Sequence, residues 1–175
     1  MERDTDHDAV REVHLRAFGA EGPVIAPLVD ALRALPGTLS MVAATGDEVV
    51  GHIMFSRGLL DAPRRLVTVQ VLGPLAVSPA HQGTGAGRAL IRHGVAELAA
   101  RGAPLVFLEG DPAYYAGSGF VAGGDLGFRK PSLRIPDAAF QVMRLAAYEP
   151  WMTGTLVYPA VFWEHDCVGL RDPAA

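Results

Sequence analysis

The chain has a single cysteine, Cys167, among its 175 residues. No intrachain disulfide is open to it, and that usage fits a reducing compartment. Long hydrophobic runs are missing too: none reaches the roughly 18 apolar residues that a membrane-spanning helix needs. Met1 to Asp8 is polar and lacks the apolar core of a secretory signal. These absences predict a cytoplasmic protein with no membrane partner. There is no cationic excess either. The net charge is −4, the wrong sign for a general nucleic-acid binder. The six histidines contain no His-x-x-x-His pair, so no metal is expected. Repeats, low-complexity tracts and linkers are also absent, which leaves one domain over residues 1–175.

What is present is an ordinary globular composition. Half the residues are hydrophobic and 19% are charged, enough to build a core at this length. Apolar periodicity predicts a helix over Asp8–Phe18 and a second over Ile25–Leu35, the first followed by a break at Gly19–Pro23 and the second ended by Pro36-Gly37. Leu39–Ala44 and Val49–Ser56 read as a β-hairpin around Thr45-Gly46-Asp47-Glu48. Leu66–Val77 is the longest β-rich run, and Gly73-Pro74 inside it predicts a bulge. A helix over Gly87–Arg101, a short strand at Leu105–Glu109, a helical turn at Ala113–Ala116 and strands from Phe120 and at Phe140–Ala146 follow. The charged Met1–Thr5 leaves little room for a strand before the first helix. The order is that of an α+β, mixed α/β protein. Trp151, Tyr158, Phe162 and Trp163 mark residues 147–175 as an aromatic tail. Its plainest reading is packing on the sheet. A wall of an acceptor pocket or a homodimer contact is the other.

The most informative stretch is Val77-Ser78-Pro79-Ala80-His81-Gln82-Gly83-Thr84-Gly85-Ala86-Gly87-Arg88. It joins a strand to a helix and places glycines at alternate positions. Glycine permits sharp turns and close approach of a ligand to backbone N–H groups. Those groups then sit at a helix N-terminus, where they and the dipole favour an anion. The dinucleotide pattern G-x-G-x-x-G fails, because its third position falls on Arg88 or Leu90. The P-loop fails for want of a Lys-Ser/Thr pair after Gly87.

The spacing Gln82-x-x-Gly85-x-Gly87 after the strand Leu72–Val77 resembles the acyl-CoA pyrophosphate loop of the GNAT superfamily of N-acyltransferases. Downstream, Tyr115-x-x-x-Gly119-Phe120 resembles that superfamily's Tyr-x-x-x-Gly-Phe segment. With the helix–helix–hairpin start and Gly51, the likeness covers roughly Asp6 to Ala146. It implies a mostly antiparallel sheet flanked by helices, its fourth and fifth strands splayed around the pantetheine arm. It implies an N-acetyltransferase that moves an acetyl group from acetyl-CoA to a primary amine, on a small molecule or a peptide, by direct attack in a ternary complex. A non-catalytic acyl-CoA sensor or scaffold is the alternative.

The same likeness assigns roles. Gln82, Gly83, Thr84, Gly85, Ala86, Gly87 and Arg88 bind the pyrophosphate. Leu75, Ala76 and Val77 pair with the pantetheine amides, and one N–H there polarises the thioester carbonyl. Tyr115 protonates the departing thiolate. The neighbours Ala116-Gly117-Ser118 are smaller than the family's usual residues, which widens the pocket there. Some members carry a glutamate base on the fourth strand, but Leu66 to Pro79 holds no Asp, Glu or His. Glu109 is the leading substitute, with Asp111, His52 or a water chain as alternatives. Phe18 and Glu21, beside the first helix break, and His52 on the hairpin are expected to touch the acceptor.

Overall fold

The computed structural model describes residues 1–171. Helices α1 (His7–Phe18) and α2 (Gly22–Arg33) are followed by strands β1 (Leu39–Thr45), β2 (Glu48–Asp61) and β3 (Leu66–Val77). Then come α3 (Ala86–Ala100), β4 (Leu105–Glu109), α4 (Pro112–Tyr115), β5 (Val121–Ala122), β6 (Phe128–Arg129), β7 (Phe140–Arg144), β8 (Gly154–Val157) and α5 (Ala160–Glu164). The strands form a mostly antiparallel sheet in the order β5-β7-β4-β3-β2-β8-β6, with β1 also on β2. The α+β expectation holds.

The chain divides into two compact units, and β2 and β3 each run through both. The first unit is 1–56 with 72–98. Its β1–β2 hairpin pairs Leu39 with Phe55 and Thr45 with Glu48. Helix α1 buries Val10, Val13 and His14, and α2 buries Ala26, Leu28, Val29 and Leu32. Residues 50–56 of β2 are buried without alternation, the pattern of a strand covered on both faces. Gly94 of α3 lets that helix lie against Phe55. A Cβ at Gly94 would stand 2.2 Å from the Phe55 ring.

One boundary departs from the expected organisation of this unit. Helix α2 starts at Gly22, three residues before Ile25, because Pro23 fits a first helical turn, where its missing N–H costs nothing. As the charged start predicts, no strand precedes α1. A backbone hydrogen bond, Glu2 N–H to Ser40 O at 3.1 Å, marks the edge.

The second unit is 57–71 with the chain from Ala99 onward. Strand β4 is buried from Leu105 to Leu108 and pairs along its length with β7. Phe107 meets Phe128 edge-on at 5.1 Å and Phe140 in a stack at 5.7 Å. The aromatic tail holds more order than its sequence suggests. β8 pairs with the end of β2, Leu59 opposite Val157, and α5 follows. Gly154 is required at that crossing, with φ +141° and a Cβ position 2.0 Å from Asp61 O.

Candidate active site

The glycine loop belongs to the first unit. β3 is an unbroken strand, with Gly73 at φ +152° before a cis peptide to Pro74. Leu75 is half-buried, and Ala76 and Val77 are buried. Ser78 N–H donates to Val50 O at 2.8 Å, which ties the strand end to the hairpin. A single helical turn, Pro79–His81, then leads into the loop. Gly83 and Gly85 have φ +76° and +92°, with open space where a Cβ would go. They are needed for their backbone conformation, not for room.

Two of the side chains expected to bind phosphate also brace the loop. Gln82 Nε2 donates to Val77 O at 3.1 Å, and Thr84 Oγ1 donates to His81 O at 2.7 Å. The backbone is what remains on offer. Among the described residues, no hydrogen bond is donated by the N–H groups of Gly83, Thr84, Gly85, Ala86, Gly87 or Arg88. The first N–H of α3 with a partner is that of Ala89, to Gly85 O at 3.0 Å. This is the unsatisfied N-terminus of a 15-residue helix with no acidic residue in its first turn. Arg88 is exposed there.

The first unit also carries Phe18, Glu21 and His52. Glu21 is exposed in the turn Gly19–Glu21. Phe18, half-buried at the end of α1, stacks on His14 at 5.8 Å. His52 is fully buried, with both ring nitrogens engaged. It touches His14, which in turn stacks on Phe18. Its network is directional. A carboxylate only accepts, so Ser40 donates its O–H to Glu2. Ser40 Oγ then accepts from His52 Nε2–H at 2.8 Å. Neutral His52 must accept at Nδ1, from His14 Nε2–H at 2.7 Å. That leaves His14 Nδ1 a buried lone pair with no partner among the described residues.

Burial, reinforced by the neighbouring His52 and Arg33, holds His14 down to about 3. Burial also lowers His52. Burial pushes the Glu2 carboxyl up, but its interactions with His52, Arg33 and Ser40 outweigh this and hold it well below the usual range. Arg33 grips Glu2 through Nη2 at 2.8 Å and Asp30 through Nη1 at 2.6 Å. No spacing rule reaches Glu2, Ser40 and His14 from His52; they meet only in the folded chain.

Tyr115 and Glu109 belong to the second unit. Asp111 opens α4 by accepting Ala113 N–H at 2.9 Å, so this alternative base serves as a helix cap. Tyr115, the last residue of α4, is buried against Phe120 and Tyr114. Gly110 makes space for its ring: a Cβ there would lie 2.6 Å from Tyr115 Cε2. Burial, and then the neighbouring Tyr114, push the Tyr115 phenol far up, so it stays protonated through neutral pH.

Glu109 closes β4 opposite Phe140 and is half-buried. Burial raises its carboxyl, opposed by the Gly169 N–H at 3.2 Å and the charge of Arg134. Of the tail aromatics, Tyr158 is buried against Phe162 and feels the Glu109 charge. Trp151 lies between two guanidinium contacts, Arg64 and Arg65, each 5.2 Å from its ring.

The comparisons with known proteins agree with one another. Residues 7–120 match the Acetyltransferase (GNAT) family. The uncharacterized N-acetyltransferase YjhQ of Escherichia coli K12 is 36% identical over 156 residues, covering 86% of this chain and 85% of that protein. The Escherichia coli GNAT family N-acetyltransferase YhbS, solved in complex with CoA, superposes with a TM-score of 0.80 at 30% identity, over 92% of this chain and 88% of that one. A GNAT family acetyltransferase from Brucella melitensis, solved in complex with acetyl-CoA, gives 0.72 at 35% identity, over 92% and 94%. The chain belongs to the GNAT family, and it is an acetyltransferase of that family.

Proposed function

We propose that this acetyltransferase moves an acetyl group from acetyl-CoA to a primary amine by direct attack in a ternary complex. The observation that carries the reading is the run of undonated N–H groups from Gly83 to Arg88 at the head of α3. It is a cradle for the pyrophosphate, built from backbone and helix dipole, with Arg88 adding charge. CoA and acetyl-CoA in the two similar structures support this choice of donor. The backbone of Leu75, Ala76 and Val77 pairs with the pantetheine amides, and an N–H there polarises the thioester carbonyl.

The amine nitrogen bonds to the carbonyl carbon as the C–S bond breaks. Glu109 takes the proton that the ammonium must lose, and burial favours it in that task by raising its affinity for a proton. Tyr115 supplies a hydrogen bond and then a proton to the departing thiolate. Desolvation raises the proton affinity of a thiolate just as it raises that of the phenol, so the two remain matched where water is excluded. Phe18 and Glu21 contact the acceptor, a small molecule or peptide bearing the amine, and His52 supports Phe18 through His14.

Free-thiol release from acetyl-CoA, measured across a panel of primary amines, tests this. Turnover that needs an amine is expected. Tight acetyl-CoA binding with no turnover on any amine would instead favour a binding module.

A further inference from the structure

The mechanism above leaves the chain after β8 unused, yet that segment reaches Glu109. Tyr158 is buried at its start, its ring tilted against Phe162 at 5.1 Å. Cys167 N–H returns to Phe162 O at 2.8 Å, and Val168 is completely buried. Gly169 then lies flat on the backbone of residue 134: a Cβ on it would stand 2.6 Å from Arg134 C and 2.8 Å from Arg134 O. Its φ of +63° is also one that glycine favours. Leu170 N–H fastens the segment to Arg134 O at 3.1 Å. With the strap seated this way, Gly169 N–H meets Glu109 Oε2 at 3.2 Å.

We propose that residues 158–170 form a strap that completes the general base. It shields the Glu109 carboxylate from water and aims one backbone N–H at it, with Gly169 as the positioning residue. The inference rests on Glu109 acting as the base. The groups that bear on its titration are few. Arg134, from the loop before β7, adds positive charge, and Gly169 N–H favours the carboxylate. Tyr158 contributes a neutral phenol whose ionisation Glu109 opposes. Arg134 is itself shared with Asp166 at 3.8 Å. Shielding is the largest influence on Glu109, so releasing the strap should lower the affinity of Glu109 for a proton, even though a donor is lost.

The test is an NMR titration of the full chain with no acceptor present. The Glu109 carboxyl carbon and the Gly169 amide proton should titrate together in the wild type, at a pH above the ordinary glutamate value. In Gly169→Ala the Glu109 inflection should fall back toward the ordinary value. With acetyl-CoA and the fastest amine of the panel, the acid limb of the kcat profile should fall in step. An unmoved Gly169 amide in the wild type overturns the proposal, and that measurement does not depend on the variant folding. A Glu109 inflection in Gly169→Ala that stays put or rises overturns it as well. Failure of the base assignment shows separately: Glu109→Gln with undiminished kcat removes Glu109 from the reaction, and the strap's catalytic role with it, whatever the titration gives.

Discussion

Lowering the pH from 7 to 5 should destabilise this protein through His14. Its imidazole is fully buried and held down to about 3, whereas in the unfolded chain it titrates near ~6.5. Between those values the unfolded state binds the extra proton, so stability is full above about 6.5 and is lost as pH falls below it. At pH 5 the deficit is about 1.5 pH units, or about 2 kcal/mol at 1.36 kcal/mol per unit. His52 is shifted the same way and adds to the loss. Glu2, held low, loses its contribution only below the ordinary glutamate value and leaves this window untouched. Urea unfolding at pH 7 and pH 5 measures the effect. His14→Gln isolates it, because an amide can still donate to His52 Nδ1 and does not titrate. The variant should lose about 2 kcal/mol less than the wild type between the two pH values. Equal losses in the two proteins would refute the reasoning, for then His14 is not the buried neutral group described.

Three other outcomes follow from the geometry. Tyr115→Phe should lower kcat by about 10²-fold or more while leaving the acetyl-CoA Kd unchanged, as removal of a general acid does; stopped-flow binding beside steady-state kinetics separates the two. Gly85→Ala puts a side chain at φ +92° in the phosphate loop. It should weaken acetyl-CoA binding about tenfold, in line with the ~1–3 kcal/mol cost of such strain, as read by calorimetry. Gly94→Ala drives a Cβ to 2.2 Å from the Phe55 ring, and overpacking of this kind should cost about 1–3 kcal/mol in denaturant unfolding.

Periodicity placed most of the helices and strands, because 3.6- and 2-residue patterns are local signals of which face is buried. It set the start of α2 at Ile25 because it weighed apolar register above the proline that opens the helix at Gly22. It missed β8, whose four residues are stabilised by partners about 95 positions away in β2 and parallel to β6. The glycine loop was legible because its geometry is written in the backbone: alternate glycines, a strand before them and a helix after. What could not be read was that Gln82 and Thr84 spend their side chains on the loop itself.

The same division explains the rest of the site. The sequence alone located the proposed phosphate cradle, for such a cradle is a local object made from consecutive residues. Cys167 and the charge balance, likewise, are matters of count. Only the tertiary structure decided that His52 is sealed behind Ser40, Glu2 and His14, and that Glu109 answers to Arg134 and Gly169. Those groups are 12 to 60 residues apart, and what sets their chemistry is the low dielectric and the fixed partners around them. Neither exists until the chain has folded.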